Sequence, residues 1–399
     1  MVLEQLLEDA GHRANRVKVL VADRPVAGNS AEQSAIHDEV VDEADQASRV
    51  VPGVAARIGC CVYAAAALIS IVLVWTRSPR AEMPVMGADA GSPFQTSSLR
   101  VAAGTSGPQG DAAQPVGDDP GIADRDATDP PFEPVRHIVW ISIDTLRSDR
   151  MGCYGYELPT SPHLDALAAE AVLFRNAYSH SSGTVLSFMS AHAGTDPVFV
   201  GGISQFSVLV EQVDTFVEQL QRAGYYTAAV IRQGHLNPSM GYSQGFDDYT
   251  NIEKPNRDKQ VSDQAIKTLE ALRNRDRTFF WFHYLDTHVP YEAPRDLVEM
   301  FQRPPGTDPR LLPRYHYSST GGINYKHVGS QYRDQIVDGR ISATFVNALY
   351  DAEVRSMDEQ VGRVLDRIRE LGMWDETLIV VSADHGEALG EHQTYCQHC

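Results

Sequence analysis

The side chains best suited to chemistry in this chain are an Asp-Thr pair, an Asp-His pair and two single histidines. Asp144 and Thr145 directly follow one short apolar run, and Asp384 and His385 directly follow another. Carboxylate oxygens and imidazole nitrogens bind divalent cations, so the pairs would form a metal site if the fold brought them together. A single aspartate or histidine in such a place is more often a helix cap or a loop residue. The two single histidines are His283 and His288.

The strands that must position these residues can be read from short apolar runs. His137–Ile143, Thr227–Ile231, Thr278–Tyr284 and Leu378–Ser382 are rich in β-branched or aromatic residues. Runs of this length and composition are typical of strands that are buried on both faces. In a parallel sheet ligands bind at the carboxyl ends of the strands, and the polar pairs lie at those ends.

Helical patterns separate the predicted strands. Ser161 and Pro162 combine an N-cap residue with proline at the first helical position, and predict a helix through Ala171. Apolar residues at helical spacing predict two more helices, over 213–220 and 354–371. Strands that alternate with helices predict an α/β fold, with a mostly parallel sheet sandwiched by helices.

The first third of the chain has a different composition. Residues 1–54 are polar and acidic, and predict a disordered tail. Ile58–Trp75 has 18 residues without a charge. Crossing a bilayer takes about 17–25 residues, so we predict one transmembrane helix at 55–76. Residues 77–134 predict a flexible linker to a domain at 135–399. More basic residues precede the span than follow it, which predicts a single-pass protein whose domain is extracytoplasmic.

Charge and cysteine content exclude some classes of protein. The net charge of −19 argues against nucleic-acid binding, because phosphate backbones require Lys and Arg. An anionic substrate is still compatible, because a bound cation reverses the local field. Five cysteines do not form the pattern of a disulfide framework. Cys396 and Cys399 form a C-x-x-C pair, but a structural zinc site needs a second pair.

Several ordered motifs resemble the sulfatase family of the alkaline-phosphatase superfamily. Ile143–Ser179, beginning IDTLRSDRMGCYG, resembles the opening of the family's domain, and His283–Pro294 resembles its substrate-side loop. Tyr350–His392, which contains SADHGEALGEH, resembles its metal-binding segment, and GYYTAAVI and QGFDDY lie in order between the motifs. The resemblance covers 135–399 and implies a sulfatase-like α/β fold. The family's domain normally continues further, so we expect 135–399 to be its front part.

The resemblance implies one divalent metal ion and a hydroxyl nucleophile. Asp144, Asp384 and His385 correspond to metal ligands, and Thr145 stands where the family has a second Asp or an amide. Calcium is the metal that the family implies, and manganese and zinc also suit these ligands. Thr184 stands at the nucleophile position, at a helix start where free N–H groups and the helix dipole favour an anion. The alternative for this threonine is an ordinary N-cap.

Other residues correspond to catalytic or substrate-contact positions of the family. His288 would contact the anionic group or protonate the leaving oxygen, a role that suits imidazole. His235 falls at a histidine position, and His398 lies near the family's last basic active-site residue. We assign these three histidines to catalysis. The residues assigned to substrate binding are Arg232, His283 and His392.

The chain departs from the family at two cations and at the nucleophile. Thr184–Phe188 reads TVLSF where sulfatases carry C-x-P-S-R, so conversion to formylglycine is not expected. Phe188 replaces an arginine and Gln233 replaces a lysine. A charge-assisted hydrogen bond contributes roughly 1.5–3 kcal/mol, so both losses matter around a dianion. Arg232, next to Gln233, is the candidate to compensate.

These observations predict a membrane-anchored, metal-dependent hydrolase of sulfate or phosphate esters. The substrate would be a small-molecule, glycan or lipid ester, and residues 58–75 would contact the membrane. Threonine nucleophiles occur in relatives that handle phosphate esters. A phospho-headgroup transferase is therefore a second hypothesis, distinguished by its need for lipid and acceptor. A third hypothesis is a non-catalytic binding domain, which Phe188 and Gln233 favour and the intact Asp/His set opposes.

Overall fold

The computed structural model describes the chain in six stretches: 18–21, 135–252, 258–302, 310–313, 323–391 and 394–396. Its strands are β1 (Lys18–Val21), β2 (His137–Ile143), β3 (Val172–Phe174), β4 (Tyr226–Ile231), β5 (Asp248–Asn251), β6 (Thr278–Tyr284), β7 (Leu311–Pro313), β8 (Arg340–Ser342) and β9 (Thr377–Ala383). Its helices are α1 (Pro162–Ala168), α2 (Thr184–Ala193), α3 (Phe216–Arg222), α4 (Lys259–Leu272), α5 (Arg295–Phe301) and α6 (Ala343–Glu370).

Seven of the strands form one parallel sheet, in the order β3-β1-β9-β2-β6-β4-β5. Strands β7 and β8 form a separate antiparallel pair. Along β2, Val139 and Ile141 pack in a core cluster that includes α1, α4 and α6. Ile138 and Trp140 pack in a second cluster with α2 and α3, because successive side chains of a strand point to opposite faces. The prediction of a mostly parallel sheet sandwiched by helices is confirmed.

Strand β1 corrects the prediction that residues 1–54 are a disordered tail. Lys18–Val21 lies between β9 and β3 and pairs with both. The Lys18 side chain is buried, and its ammonium donates hydrogen bonds to the carbonyl oxygens of Trp374 and Thr377. Paired backbone on both sides stabilises this short segment, because buried N–H and C=O groups need partners. The tail therefore contributes an inner strand of the sheet.

We expect deletion of residues 1–21 to destabilise the domain strongly. The deletion exposes one edge of β9 and removes the strand that joins β3 to the sheet. Several backbone hydrogen bonds of about 1 kcal/mol each are lost, which predicts a decrease of roughly 3 kcal/mol or more in the free energy of unfolding. Urea unfolding measures it, with deletion of residues 1–16 as the matched control. Equal stability of the two truncated chains would contradict the assignment of β1.

Helix α1 starts at Pro162 as predicted, but its cap differs from the prediction and it ends one turn earlier. Ser161 makes no side-chain cap hydrogen bond to the helix. The backbone N–H groups of His163 and Leu164 donate instead to the carboxylate of Asp358, at 3.0 and 2.9 Å. Asp358 belongs to α6, so a tertiary contact replaces the local cap. Burial raises the pKa of Asp358 to about 6.

Helix α6 confirms the amphipathic pattern over 354–371, and extends it at the N-terminal end to 28 residues. The helix also makes hydrogen bonds to the residues that follow β2. The hydroxyl of Tyr350 donates to the carbonyl oxygen of Thr145 at 2.7 Å and accepts from the N–H of Arg147 at 3.0 Å. The helix therefore holds the turn that follows β2.

Among the helices that the structure describes, none combines the length and the apolar character that crossing a membrane requires. The predicted transmembrane helix at 55–76, the linker at 77–134 and most of the tail lie outside the described residues. Their predicted roles stay predictions.

Candidate metal centre

The strands that end at the candidate residues are neighbours in the sheet. Strand β2 lies between β9 and β6, and its last residue is aligned with the last residues of both. Asp144 therefore leaves the same edge of the sheet as Asp384 and His385. Potential ligand atoms of these three residues all lie within 4.8 Å of one another, and all three side chains are buried. The predicted meeting of the two polar pairs is thus present in the structure.

In both Asp144 and Asp384, one carboxylate oxygen accepts hydrogen bonds. Asp144 Oδ2 accepts from Gln233 Nε2 at 2.7 Å, and Asp384 Oδ1 accepts from the backbone N–H of His385 at 2.8 Å. The other oxygens, Asp144 Oδ1 and Asp384 Oδ2, have no donor among the described residues. They lie 3.5 and 3.6 Å from His385 Nε2. His385 Nδ1 lies 2.9 Å from the Gly386 carbonyl, to which it donates, so Nε2 is an acceptor.

Three acceptor atoms that converge in a buried site fit a cation. Without one, burial and the neighbouring Asp384 raise the pKa of Asp144 well above its usual range. Burial raises the pKa of Asp384 to about 7 and lowers the pKa of His385 to about 4. A divalent cation favours ionised carboxylates and neutral imidazole, which removes the cost of burying them unpaired. Two carboxylates and one imidazole suit calcium, manganese or zinc.

Thr184 lies beside these three residues, at the first position of α2. Its hydroxyl is 3.2 Å from His385 Nε2 and 3.5 Å from Asp144 Oδ2. The N-cap position belongs to Gly183, so the capping alternative for Thr184 does not describe this structure. The first N–H groups of a helix lack intrahelical partners and attract anions. A hydroxyl, a helix N-terminus and a metal-binding cluster therefore meet at one point.

His283 lies buried beside the cluster. Its side chain has no solvent exposure, and Nε2 lies 4.0 Å from Asp144 Oδ2. Trp281 Nε1 donates to Ser142 Oγ at 2.8 Å, and Ser142 Oγ lies 2.9 Å from His283 Nδ1. If the Ser142 hydroxyl donates to Nδ1, the proton lies on Nε2, which has no hydrogen-bond acceptor among the described residues. His283 is therefore buried beside the cluster, and the substrate contact that we predicted for it stays a prediction.

A family model described as Sulfatase matches residues 136–398. This chain belongs to the sulfatase family. Human iduronate 2-sulfatase is 26% identical over 313 residues, which cover 66% of this chain and 56% of that protein. The N-acetylglucosamine-6-O-sulfatase of Bacteroides thetaiotaomicron is 26% identical over 333 residues, which cover 64% and 59%. This sulfatase-family chain therefore spans less than two thirds of the length of these curated relatives.

A solved structure shows the same fold. The phosphonate monoester hydrolase from Silicibacter pomeroyi aligns with a TM-score of 0.51 and 22% identity, covering 64% of this chain and 63% of that one. The relatives named here, two sulfatases and a phosphonate monoester hydrolase, are ester hydrolases. The parallel sheet of this sulfatase-family chain is thus shared with ester hydrolases of known structure.

Phe188 and Gln233 are the two neutral residues that we predicted to stand where the sulfatase family has cations. Phe188 is buried, and its ring lies 5.0 Å from that of His283 and 5.2 Å from that of Trp281, between ring centroids. It therefore extends the apolar layer beneath the cluster and does not reach towards an anion. Gln233 donates its amide N–H to Asp144, where it orients a carboxylate without supplying charge. Neither side chain therefore supplies positive charge to the cluster.

Arg232 does not compensate for the missing lysine, which corrects its predicted role. Its guanidinium lies 3.2 Å from Asp286 and 3.4 Å from Asp258, so its charge is already paired. His288 is half-buried, and it lies close enough to Asp384 and His385 to influence the pKa of both. The predicted catalytic role of His288 stays a prediction.

The remaining predicted residues lie beside the cluster or outside the described part. His235 is exposed, and its backbone N–H donates to Gln233 Oε1 at 3.3 Å. The hydroxyl of Thr145 lies 3.1 Å from that of Thr287, and its backbone N–H donates to Asp384 Oδ1 at 3.2 Å. Thr145 also has a φ of 57°, a conformation that costs a β-branched residue about 1–3 kcal/mol. The two predicted histidines outside the described residues are His392 and His398.

Glu387 is a site residue that the sequence analysis missed. It is buried, and neither carboxylate oxygen has a hydrogen-bond donor among the described residues. Burial raises its pKa to about 8, and Asp144 is close enough to contribute to the increase. Its place two residues after His385, within SADHGEALGEH, was the signal that could have identified it.

We expect the metal-free protein to lose stability between about pH 7.5 and pH 8.5. The pKa of Asp384 is about 7 and that of Glu387 about 8, whereas unfolded carboxylates titrate near about 4. Their stabilising contribution is complete below about pH 4 and is lost as the pH rises through these values. Above about pH 7.5 the histidines are neutral in both states and add no slope. Scanning calorimetry should show Tm falling over this interval without metal.

The matched sample contains a saturating divalent cation, which stabilises the ionised carboxylates of the cluster. We expect its Tm to fall less over the same pH interval. Equal pH slopes with and without metal would contradict the proposed link between the cluster and stability.

Proposed function

We propose that this chain carries the metal-binding and nucleophile-bearing part of an ester hydrolase, in which Thr184 attacks a sulfate or phosphate ester. The observation that supports it most is the position of the Thr184 hydroxyl, 3.2 Å from His385 and 3.5 Å from Asp144 at the start of α2. A divalent cation held by Asp144, Asp384 and His385 would offset the negative charge of the ester and favour the deprotonated hydroxyl.

Threonine requires a two-step displacement. In the first step the Thr184 oxygen, having lost its proton to solvent, bonds to sulfur or phosphorus while the bond to the ester oxygen breaks. The leaving oxygen takes the electron pair and a proton, for which His288 is the candidate donor. In the second step water cleaves the threonine ester, releases the anion and restores the hydroxyl. The N–H groups at the start of α2 orient the anion in both steps.

The side chain of Thr184 also bears on which ester is preferred. Its β-carbon carries a methyl group, so oxidation cannot produce the aldehyde of formylglycine. The threonine ester must therefore be cleaved at sulfur or phosphorus, and no second hydroxyl on the same carbon is present to expel the anion. We expect phosphate and phosphonate monoesters to be better substrates than sulfate esters.

A non-catalytic binding domain is the second candidate. The observation that favours it is the loss of two cations, because Phe188 is buried among aromatic rings and Gln233 is neutral. Such a domain would retain the metal cluster and bind an anion without cleaving it.

The test strips the full-length chain with chelator, then restores calcium, manganese, magnesium or zinc separately. Each sample receives p-nitrophenyl sulfate, p-nitrophenyl phosphate and a p-nitrophenyl phosphonate monoester. Metal-dependent turnover that disappears in Thr184→Ala supports the hydrolase. A folded, metal-binding chain that turns over none of the three esters supports the binding domain.

A further inference from the structure

An exposed apolar segment follows α2. Nine large apolar side chains are highly exposed among the described residues, and six of them lie within 198–210. Their exposure runs from 43% to 83%. Soluble proteins rarely expose apolar patches above a few hundred Å² without a binding role. We name these six side chains the apolar rim: Val198, Phe199, Ile203, Phe206, Val208 and Val210.

The apolar rim is a built structure rather than a frayed loop. The buried hydroxyl of Ser207 accepts hydrogen bonds from the N–H groups of Ile203 and Ser204, both at 3.0 Å. The N–H of Leu209, whose side chain is buried, donates to the carbonyl of Met240 at 3.0 Å. Buried anchors therefore alternate with exposed apolar residues, and the loop presents the latter to solvent.

Contacts on two sides place the apolar rim beside the metal centre. A Cβ added at Gly202 would lie 3.1 Å from the side chain of Leu186, which is two residues after Thr184 on α2. On the other side, the rings of Phe206 and His235 lie 6.3 Å apart between centroids. The backbone of His235 bonds to Gln233, and Gln233 bonds to Asp144. The rim thus packs against α2 on one side and against the loop that carries Gln233 on the other.

The charge of this region indicates what the apolar rim binds. The sequence contains no Lys or Arg between Arg175 and Arg222, whereas Asp196 and Glu211 flank the rim. An anionic group therefore finds no Lys or Arg from this segment to pair with at the rim, and the metal centre is the better place for it. An uncharged apolar group buries surface there, at about 25 cal/mol per Å².

We infer that the apolar rim binds the apolar alkyl or aryl part of an amphiphilic ester whose anionic head lies at Thr184 and the metal ligands. The inference rests on the proposed function, because it uses the same anion site. It specifies the substrate class: an anionic head joined to a hydrophobic group, rather than a polar sugar.

Non-cleavable ligands test this without turnover. Isothermal titration calorimetry measures binding of alkylphosphonic acids, from ethyl to decyl, to the full-length chain loaded with the metal it binds best. Affinity should rise about two- to fourfold per added methylene, because a fully buried methylene contributes about 0.8 kcal/mol. Phe206→Ser and Phe199→Ser should flatten this dependence. Met300→Ser is the matched control, since Met300 is 57% exposed. It lies on α5, whose buried residues belong to a different core cluster from that of Leu209 in the rim.

The outcomes separate the inference from the proposed function. A chain-length dependence lost in Phe206→Ser and kept in Met300→Ser supports the rim, even if no ester is cleaved. Affinity independent of chain length, or a dependence that Phe206→Ser leaves intact, overturns it. Dimerisation in sedimentation that Phe199→Ser abolishes would show that a second copy covers the rim, and would also overturn it. Loss of ester cleavage alone argues against the hydrolase, not against the rim.

Discussion

Thr184→Ala is expected to lower kcat for metal-dependent ester cleavage by about 10³-fold or more, as removal of a covalent nucleophile does. The hydroxyl is the group at the start of α2 that touches both His385 and Asp144, and its loss removes the bond-forming atom. Metal affinity should change little, because the two carboxylates and the imidazole are retained. Steady-state kinetics and calorimetric metal titration on the same preparation measure both quantities.

Two control variants make this prediction specific. Thr184→Ser keeps the hydroxyl and should retain measurable turnover, whereas Ser182→Ala removes an exposed hydroxyl nearby and should match the wild type. If Thr184→Ala and wild type hydrolyse the ester at similar rates, Thr184 is not the nucleophile and a metal-activated water is the better hypothesis.

Asp144→Asn is expected to raise the Kd for the divalent metal by about 100-fold or more. Even the loss of a group that only supports a ligand costs about 10–100-fold, and this change removes the charge of a ligand itself. A metal present at about 1,000 times its Kd stabilises the fold by about 4 kcal/mol, and a Kd weaker by about 100-fold reduces this to about 1.4 kcal/mol, so the metal-dependent increase in Tm should shrink to about a third. Calorimetric titration and thermal unfolding measure the two effects.

The metal-free variant should behave in the opposite way. Burial and the neighbouring Asp384 disfavour the ionised form of Asp144, and an amide at position 144 removes that ionisable group. Asp144→Asn without metal should therefore be as stable as the metal-free wild type, or more stable. Asp296→Asn, an exposed carboxylate on α5, is the matched control and should change neither quantity. Unaltered metal affinity in Asp144→Asn would exclude this cluster as the metal site.

Four of the seven strands of the parallel sheet were predictable, and they are the ones that matter for the site. Strands such as β2 and β6 are buried on both faces, so their sequences are continuous apolar runs. Strand β5 reads DYTN at the sheet edge and has no apolar pattern. Strand β1 has only four residues and lies in an acidic tail. Their positions depend on the strands beside them.

The site was predictable to the same extent. The meeting of Asp144 with Asp384 and His385 follows from parallel strands that end at one edge. The pairing of Arg232 with Asp258 and Asp286 was not, because those carboxylates come from segments distant in sequence. The hydrogen bonds that orient His283 likewise join neighbouring strands. Local sequence predicts which residues lie at the edge of the sheet. Tertiary contacts decide which of their charged groups are already in ion pairs.

Strand β1 also constrains how the chain can meet a membrane. Lys18–Val21 and β9 are hydrogen-bonded in one sheet, so both lie in the same aqueous compartment. Any bilayer crossed between residues 21 and 135 must then be crossed an even number of times. A single-pass helix at 55–76 would put β1 and the sheet on opposite sides. If the apolar run at 58–75 enters a bilayer while β1 is in place, it enters and leaves through the same face.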